Sequence, residues 1–344
     1  MAPIGGRYVE NRECMEERYR EALSNYLKEH TEKALYLGHK ISKEAIEQMV
    51  SPEEIISLHK NTLKEILPDI SEEVSHSFDF LLEIMMEYGV AFRELQSLRH
   101  QQRELKSEME IAANVQQTLL ETRVPVLKNL EIGAISVPAK HMSGDYFHFV
   151  QDEHNRVAVA IADIIGKGIP AALCMSMIKY AMDSLPEHRT SPASVLESIN
   201  RVVEQNVGPS MFITMFYGLY DPSNHIFTYA SAGHEPGFFY NYEKNEFTEL
   251  TAKGLLLGVD KKTVYRQYER KIEIGDMIIL LSDGVTECRT NEGFIERDTL
   301  VQFIRESIHL DAQTIVNNLY KKLEKMQHFQ LRDDFTLIIM RRKF

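Results

Sequence analysis

A chain of 344 residues with 44% hydrophobic and 26% charged residues can form the core of two globular domains. Its formal net charge of −12 argues against a general affinity for nucleic acid or anionic membranes. The three cysteines form no CxxC pair and the first 13 residues lack an apolar signal core, so neither a disulfide scaffold nor a secreted protein is indicated, and a cytoplasmic location is predicted.

The first third of the chain is predicted to be helical. Amphipathic spacing over residues 13–37 predicts one helix. A second should begin after Ser51, because a serine followed three residues later by Glu54 forms a capping box, and it should end before Pro68.

Residues 71–122 contain no proline and a single glycine, Gly89, which predicts one helix of about 50 residues and roughly 75 Å. Its second half has a 3–4 spacing of mostly apolar residues, a strip narrow enough for a two-helix seam. We therefore predict a coiled-coil-like linker that dimerises, weakened by its two glutamines; the alternative is a helix lying along its own domain. The strip comprises Leu95, Leu98, Gln102, Leu105, Met109, Ala112, Gln116 and Leu119.

Beyond Pro125 short apolar runs alternate with turns, and two pairs of helical patterns lie between them. This order predicts an α+β domain in which antiparallel sheets are covered by helices. The resulting plan is an N-terminal helical domain over residues 1–92, which could dimerise, a helical linker over 93–122, and an α+β domain over 123–344. The predicted strands are 132–137, 147–150, 157–161, 211–220, 227–230, 237–240, 277–281 and 335–340.

Aspartates stand where several of these strands end. Asp145 lies in "SGDYFHF", Asp163 in "IADIIGKG", Asp283 in "LLSDGVTE", and Asp333 and Asp334 in "LRDDFTLII". If residues 152–155 form the hairpin turn, residue 145 lies opposite residue 162, and the first two aspartates emerge at the same end of neighbouring strands.

Carboxylates brought so close together repel one another unless a cation lies between them. A ligand set made only of oxygen selects Mg²⁺ or Mn²⁺ over Zn²⁺, and a pair of such ions favours phosphoryl chemistry. The alternative is that each aspartate simply belongs to a turn, where aspartate before glycine is common.

Six motifs in order, "SGDYFHF", "ADIIGKG", "FITMFYG", "SAGHEPG", "LLSDGVTE" and "DDFTLII", resemble the SpoIIE-type branch of the PPM metal-dependent Ser/Thr phosphatases over residues 120–344. The segments "PEEIISLHK" and "EIAANVQQTLL" further resemble the RsbU-type phosphatases that regulate the sigma-B general stress pathway. The resemblance implies a C-terminal αββα sandwich, preceded by an all-α regulatory domain and the long linker.

The resemblance also implies a site with two Mn²⁺ or Mg²⁺ ions. Asp163 would bridge both ions, and Ile164 would offer its backbone carbonyl. Asp145 would act on an outer ion or its waters, while Asp283 and Asp333 would hold the second ion. Asp334 would either bind an ion itself or support a neighbouring ligand. Asp163, Asp145 and Asp283 are the predicted catalytic residues, and water activated by the ions would attack phosphoserine directly.

Two further residues are possible substrate contacts. Lys167 stands where many relatives have histidine, and it could attract phosphate or remain a solvated turn residue, because its ordinary pKa of about 10.4 makes it a poor general acid. His234 could touch substrate or hold a turn beside the site. The loop around Lys167 is not a nucleotide cradle, because Gly168 follows the lysine where such a loop needs a hydroxyl residue.

The resemblance implies that the substrate is a phosphorylated anti-anti-sigma factor (RsbV-like), whose dephosphorylation activates the stress sigma factor. It also implies a homodimer gated by an RsbT-like switch protein that binds the N-terminal domain. A catalytically silent scaffold of the same fold is the alternative, although all the acidic ligands are present. A metal-dependent nucleotidyl cyclase would need purine-recognition motifs that the sequence lacks.

Overall fold

The computed structural model describes residues 4–140, 142–164, 166, 168–184, 191–208, 211–290 and 293–343. The chain forms two compact units, Met1–Ser107 and Glu108–Phe344, whose division falls inside the segment predicted as a linker. Throughout the described ranges, no helix is both long and apolar enough to cross a bilayer. Cys14, Cys174 and Cys288 are free thiols.

The N-terminal unit is helical. It contains α1 (Ile4–Glu29), α2 (Glu32–Glu47), α3 (Pro52–Ile66) and the first part of α4 (Glu72–Leu120). The single helix predicted over 13–37 is wrong, because His30 adopts a positive φ of 52° and α2 starts afresh after the extended Thr31. The predicted start of α3 is confirmed, with the Ser51 amide donating to the Glu54 carboxylate at 3.1 Å.

The long helix predicted over 71–122 is confirmed, since α4 continues unbroken for 49 residues. Its only glycine, Gly89, lies against the Glu53 carboxylate of α3, which also pairs with Arg93 one turn further along α4. A side chain at position 89 would displace that carboxylate. The glycine therefore allows α3 and α4 to approach closely within this unit.

The second unit is built from two five-stranded antiparallel sheets. One sheet has the strand order β1-β12-β9-β6-β7, and the other has the order β2-β3-β4-β5-β8. The strands are β1 (Leu130–Val137), β2 (Asp145–Gln151), β3 (Val157–Ile164), β4 (Ile213–Asp221), β5 (Ile226–Ala232), β6 (Gly237–Asn241), β7 (Glu246–Leu250), β8 (Tyr268–Lys271), β9 (Met277–Leu281), β10 (Arg289–Thr290), β11 (Gly293–Phe294) and β12 (Phe335–Arg342), of which β10 and β11 form a separate short pair.

Helices cover the outer face of each sheet. The pair α5 (Ile169–Asp183) and α6 (Pro192–Asn206) packs on the sheet that contains β3 and β4. Helices α8 (Arg297–Glu306) and α9 (Ala312–Met326) pack on the sheet that contains β9 and β12, and the short α7 (Asp283–Thr286) follows β9. A third apolar cluster, rich in aromatic side chains, fills the space between the sheets. The predicted αββα sandwich is thereby confirmed.

The hairpin between β2 and β3 fixes the geometry of the site. Asp145 lies directly opposite Asp163, one position away from the predicted partner, residue 162. The predicted register is wrong because the loop is longer than four residues: the Asp152 amide bonds the Arg156 carbonyl, and the Arg156 amide bonds the Asp152 carboxylate. The expectation that both aspartates emerge at the same end of adjacent strands is confirmed.

Helix α9 approaches β1 at Gly133, where a Cβ atom would stand 2.4 Å from the Ala312 backbone. We expect Gly133→Ala to destabilise the second unit by roughly 1–3 kcal/mol, because neither backbone can yield without shifting the helix. Thermal unfolding followed by circular dichroism measures the change. Gly208→Ala is the control, since nothing lies within 4 Å of its Cβ position; equal melting temperatures for the two variants would contradict the expectation.

Candidate metal centre

The first half of the site lies at the end of the β2–β3 hairpin. Residues directly opposite one another in an antiparallel pair project to the same face of the sheet, so the carboxylates of Asp145 and Asp163 share one face. Strand β3 holds Asp163 in a fixed place because nearly all of its residues are buried. Two acidic side chains are thus held together by backbone register.

Gly144 lies at the centre of a ring of oxygen atoms. A Cβ atom built on it would stand 3.3 Å from the Ile164 carbonyl oxygen, 3.3 Å from an Asp334 carboxylate oxygen and 3.5 Å from an Asp163 carboxylate oxygen. The Gly144 carbonyl also accepts the Ile164 amide at 3.1 Å. The absence of a side chain at residue 144 therefore keeps this cluster of oxygen atoms open.

Asp145 is the most deeply buried carboxylate of the cluster, with 4% of its surface exposed. Burial raises its pKa well above the usual value, nearby Ser282 and Thr336 hydroxyls oppose the rise, and the charges of Asp163 and Asp334 add to it. Its Oδ2 atom is buried and has no hydrogen-bond partner among the described residues. Among the residues that the structure describes, no cation is found to offset an ionised Asp145.

Asp283 and Asp333 form the second acidic pair. Asp283 is the first residue of α7, directly after β9, and burial raises its pKa, with further increases from Asp333, Glu287 and Glu235. Asp333 is exposed, and one of its carboxylate oxygens accepts the Asp334 amide at 3.1 Å. Asp283 follows β9 and Asp333 precedes β12, two strands of the sheet that does not contain Asp145 and Asp163, so each sheet positions one acidic pair.

Asp334 has a different role from its neighbour. One of its carboxylate oxygens accepts the Ala139 amide at 2.7 Å and the other accepts the Gly144 amide. The carboxylate therefore fastens the loop that leads into Asp145. This geometry favours the supporting role that the sequence offered for Asp334.

The donor set fits a hard divalent cation. It consists of carboxylate oxygens and one backbone carbonyl, which Mg²⁺ and Mn²⁺ prefer, and it contains an orphaned buried carboxylate oxygen. Within the described ranges, no three acidic, histidine or cysteine side chains already stand together as a metal cluster. The site is therefore best described as two acidic pairs that a cation would draw together.

The sequence did not point to Gln116 as part of this region. Its side chain is buried, donates to the Ser143 carbonyl at 2.9 Å and to the Met175 sulfur at 3.3 Å, and accepts the Ser143 amide at 3.2 Å. The Ser143 hydroxyl accepts the Asp145 amide at 3.1 Å. The end of α4 is thereby connected to both the Asp145 loop and α5. No sequence signal separated this glutamine from Gln102, which is exposed.

Of the two residues predicted as possible substrate contacts, the structure describes only one, His234. Lys167 lies outside the described residues. His234 is buried, and its Nδ1 lies 2.9 Å from the Thr214 hydroxyl. Burial lowers the pKa of His234 to about 4, with a smaller opposing effect of the Leu281 carbonyl. This position corresponds to the turn-holding role that the sequence offered as the alternative to substrate contact.

Both units of the chain match known protein families, and one relative is similar to nearly the whole chain. Residues 153–343 match the family described as Stage II sporulation protein E (SpoIIE), and residues 17–91 match the family described as Phosphoserine phosphatase RsbU, N-terminal domain. The chain is 59% identical to Phosphoserine phosphatase RsbU of Bacillus subtilis, over 96% of this chain and 99% of that protein. It is 26% identical to Protein IcfG of Synechocystis, over 68% of this chain and 41% of that protein.

Solved structures agree on the fold. The SiaA-PP2C domain of Pseudomonas aeruginosa aligns with a TM-score of 0.61 at 18% identity, covering 71% of this chain and 98% of the domain. The PP2C phosphatase domain of SpoIIE from Bacillus subtilis, solved with a fragment of its regulatory domain, aligns with a TM-score of 0.54 at 19% identity, covering 62% of this chain and 63% of that chain. The catalytic unit has the PP2C fold.

The buried charge of Asp145 predicts a gain in stability when it is removed. In metal-free buffer, Asp145→Asn should raise the melting temperature by about 2–4 °C, the change that roughly 1 kcal/mol produces in a domain of this size, because the ionised side chain opposes folding. The same variant should lose most of the stabilisation that Mn²⁺ gives to the unaltered protein. Differential scanning calorimetry with and without Mn²⁺ measures both effects.

Asp152→Asn is the matched control, because Asp152 pairs with Arg156 at 2.6 Å and that hydrogen bonding lowers its pKa against the opposing effect of burial. It should slightly destabilise the protein and leave the Mn²⁺ effect intact. A fall in the melting temperature of Asp145→Asn would contradict the account of a buried, uncompensated carboxylate.

Proposed function

We propose, because the chain belongs to the RsbU family of phosphoserine phosphatases, that it removes phosphate from a serine of an anti-anti-sigma factor and so activates a general stress sigma factor. The chain is a Ser/Thr protein phosphatase of the PPM type, and family membership extends over nearly the whole chain, including the N-terminal unit. The observation that carries the proposal is the pair of acidic clusters, Asp145 with Asp163 and Asp283 with Asp333, at one end of two stacked sheets.

Two Mn²⁺ or Mg²⁺ ions are the proposed cofactor. Asp163 would hold both ions, the Ile164 carbonyl would add a ligand, Asp145 would reach one of the ions or its waters, and Asp283 with Asp333 would hold the other. When bound, such ions supply Lewis-acid activation of water and of phosphate oxygens. Charge balance supports this assignment, because an unpartnered carboxylate oxygen is buried at Asp145 and the nearby carboxylates repel one another.

The residues of the chain have distinct tasks in this reaction. The β2–β3 register sets the distance between Asp145 and Asp163, and Asp334 orients the preceding loop through the Ala139 and Gly144 amides. The Ser282 and Thr336 hydroxyls favour the ionised form of Asp145. Because His234 is neutral and buried, we propose that water donates the proton to the leaving serine oxygen. Lys167 is proposed to attract the phosphate or the protein substrate.

Control of activity is proposed to enter through α4. An RsbT-like switch protein would bind the N-terminal unit and stabilise a dimeric seam along the linker. The exposed apolar strip on α4, which includes Leu98 and Leu105, supplies the surface for such a seam. The hydrogen bonds from Gln116 to Ser143 and Met175 would carry a change in the helix to the Asp145 loop and to α5. A displacement of about 1–2 Å is enough for such a switch.

A silent scaffold of the same fold is the competing proposal, and substitution of the acidic residues separates the two. With Mn²⁺ and a phosphoserine protein substrate, Asp163→Asn or Asp283→Asn should reduce turnover by at least about 100-fold, because each removes a proposed metal ligand. Stopped-time phosphate release measures the loss, and Asp152→Asn again serves as the control. If the unaltered protein releases no phosphate while it still binds the phosphorylated substrate, the scaffold is correct.

The control proposal predicts opposite effects for the two linker glutamines. Gln102→Leu should raise activity without the switch protein, because an exposed seam position becomes apolar. Gln116→Leu should reduce the stimulated rate by about tenfold, since its amide no longer holds Ser143. Phosphate release with and without the switch protein measures both rates. An unchanged basal rate in Gln102→Leu would show that linker stability is not the point of control.

A further inference from the structure

The two acidic pairs belong to different sheets, so something must fix the distance between the sheets at this end of the sandwich. Asp163 ends β3, in the sheet with β4 and β5, whereas Asp283 follows β9, in the sheet with β6 and β12. No strand pairing joins the two sheets, because the described strands hydrogen-bond only within their own sheets. A metal centre shared between them therefore depends on side-chain contacts between the sheets, such as that of Asp334 with the Gly144 amide, and on the connections that cross from one sheet to the other.

The connection from β5 to β6 makes such a crossing, over residues 233–236. Gly233 turns the chain with a left-handed φ of 69° and bridges to Met215 of β4, while Gly237 places its backbone so close to Ile279 of β9 that a Cβ atom would stand 2.4 Å from the carbonyl oxygen. The crossing is thus short and lies against both sheets. His234 is the first of the three residues between these two points.

The His234 side chain contacts groups on both sides of the crossing. Its Nδ1 lies 2.9 Å from the hydroxyl of Thr214, which is the register partner of Asp163. The carbonyl of Leu281, two residues before Asp283, acts on the pKa of the imidazole, and Nε2 itself is buried without a hydrogen-bond partner among the described residues. One imidazole thereby lies between the strand neighbour of one acidic pair and the chain that leads into the other.

The protonation of the ring follows from these partners. Burial holds the pKa of His234 near 4, so the imidazole is neutral and has one donor and one acceptor nitrogen. With the ring proton on Nε2, Nδ1 accepts the Thr214 hydroxyl proton, and Nε2 can donate to the Leu281 carbonyl, which can only accept. Nε2 is buried and has no hydrogen-bond partner among the described residues.

We propose that His234 is a positioning residue that sets the separation of the Asp163 and Asp283 halves of the metal centre, through Thr214 on one sheet and Leu281 on the other. The proposal rests on the proposed function, because it requires that the two acidic pairs bind divalent ions together. His234 does not touch the substrate or the ions. Its contribution is to hold the two acidic pairs at the distance that a pair of ions requires, so its loss should weaken ion binding more than folding.

The Thr214 side of the bridge offers the cleanest test. Thr214→Val keeps the shape of the side chain but removes the hydroxyl, and it should weaken Mn²⁺ binding by about tenfold, the lower range for residues that support metal ligands. Thr214→Ser should restore the affinity, because it keeps the hydroxyl. Isothermal titration calorimetry with Mn²⁺ measures the dissociation constant on the full chain, and the melting temperature without metal shows that the fold is retained.

Changes at His234 should depend on which nitrogen is replaced. His234→Asn retains a polar atom near the position of Nδ1 and should keep part of the affinity, whereas His234→Leu should lose as much as Thr214→Val. The double variant with Thr214→Val and His234→Leu should bind no more weakly than the weaker of the two single variants, since both remove one bridge. Fully additive losses would overturn the proposal.

The chain contains a matched control at the opposite end of the same hairpin. Tyr220 of β4 bonds His225 through its hydroxyl and Nδ1 at 2.8 Å, in a turn remote from the acidic pairs. Tyr220→Phe removes the same kind of bond and should leave the Mn²⁺ dissociation constant unchanged. An equal loss of affinity in Tyr220→Phe and Thr214→Val would mean a general weakening of the sheet, and would overturn the bridge.

The outcome also separates this inference from the function on which it rests. If the unaltered protein does not bind Mn²⁺, or if Asp163→Asn binds it as tightly, the metal site itself is wrong. If the unaltered protein binds Mn²⁺, Asp163→Asn does not, and Thr214→Val and His234→Leu bind with the affinity of the unaltered protein, the metal site is correct and only the bridge is refuted.

Discussion

Repulsion between carboxylates is the constraint on which the catalytic unit depends. The strand register places Asp145 directly opposite Asp163. In the second pair, burial and then the charge of Asp333 raise the pKa of Asp283. Such an arrangement opposes folding when the groups are ionised. The three apolar clusters of the sandwich supply the compensating stability, and they enclose the strands whose ends present the acidic residues. The acidic residues that oppose folding are therefore attached to the strands that the apolar clusters stabilise most.

The two members of the first acidic pair differ in how firmly they are held. Asp163 lies near the end of a strand that is buried along nearly its whole length and is paired on both edges, with β2 and β4. Asp145 starts its strand, and the loop before it is fastened by side chains, those of Asp334 and Gln116. The proposed control through α4 would therefore displace the Asp145 side of the site at lower cost than the Asp163 side, and the contacts of α4 with that loop are consistent with this proposal.

The sequence predicted the parts of the fold that have strong local signals and missed those decided by tertiary contact. The apolar strands, the unbroken α4 and the aspartates at strand ends follow from residue periods and turn chemistry. Strands β7 and β8 were missed because their sequences, "EFTEL" and "YERK", carry charges at exposed positions of edge strands. The register of the first hairpin was displaced by one residue because Arg156 belongs to the turn and not to the strand.

The site was predictable to the extent that motif positions define it. The acidic residues stand in neighbouring positions at one end of the sheets, but nothing in the sequence indicated that Thr214 would contact His234 or that Gln116 would be buried. A 3–4 spacing describes a seam with a partner helix and a face packed on the helix's own domain equally well. Gln116 follows the second of these two alternatives, and the exposed Leu98 and Leu105 remain available for the first.

The connection between the sheets, residues 233–236, is contacted by a cationic side chain, Arg297, and contains a neutral one, His234. On its inner side, His234 is neutral and adds no charge to the acidic pairs. On its outer side, Arg297 donates to the Pro236 carbonyl at 2.6 Å, pairs with Glu235 and lies over the Phe238 ring at 4.6 Å. Because Glu235 is one of the residues that raise the pKa of Asp283, this arginine partly offsets a charge that opposes ionisation there. A cationic side chain on the inner side would instead compete with the metal ions for the carboxylates, so the neutral imidazole belongs inside and the arginine outside.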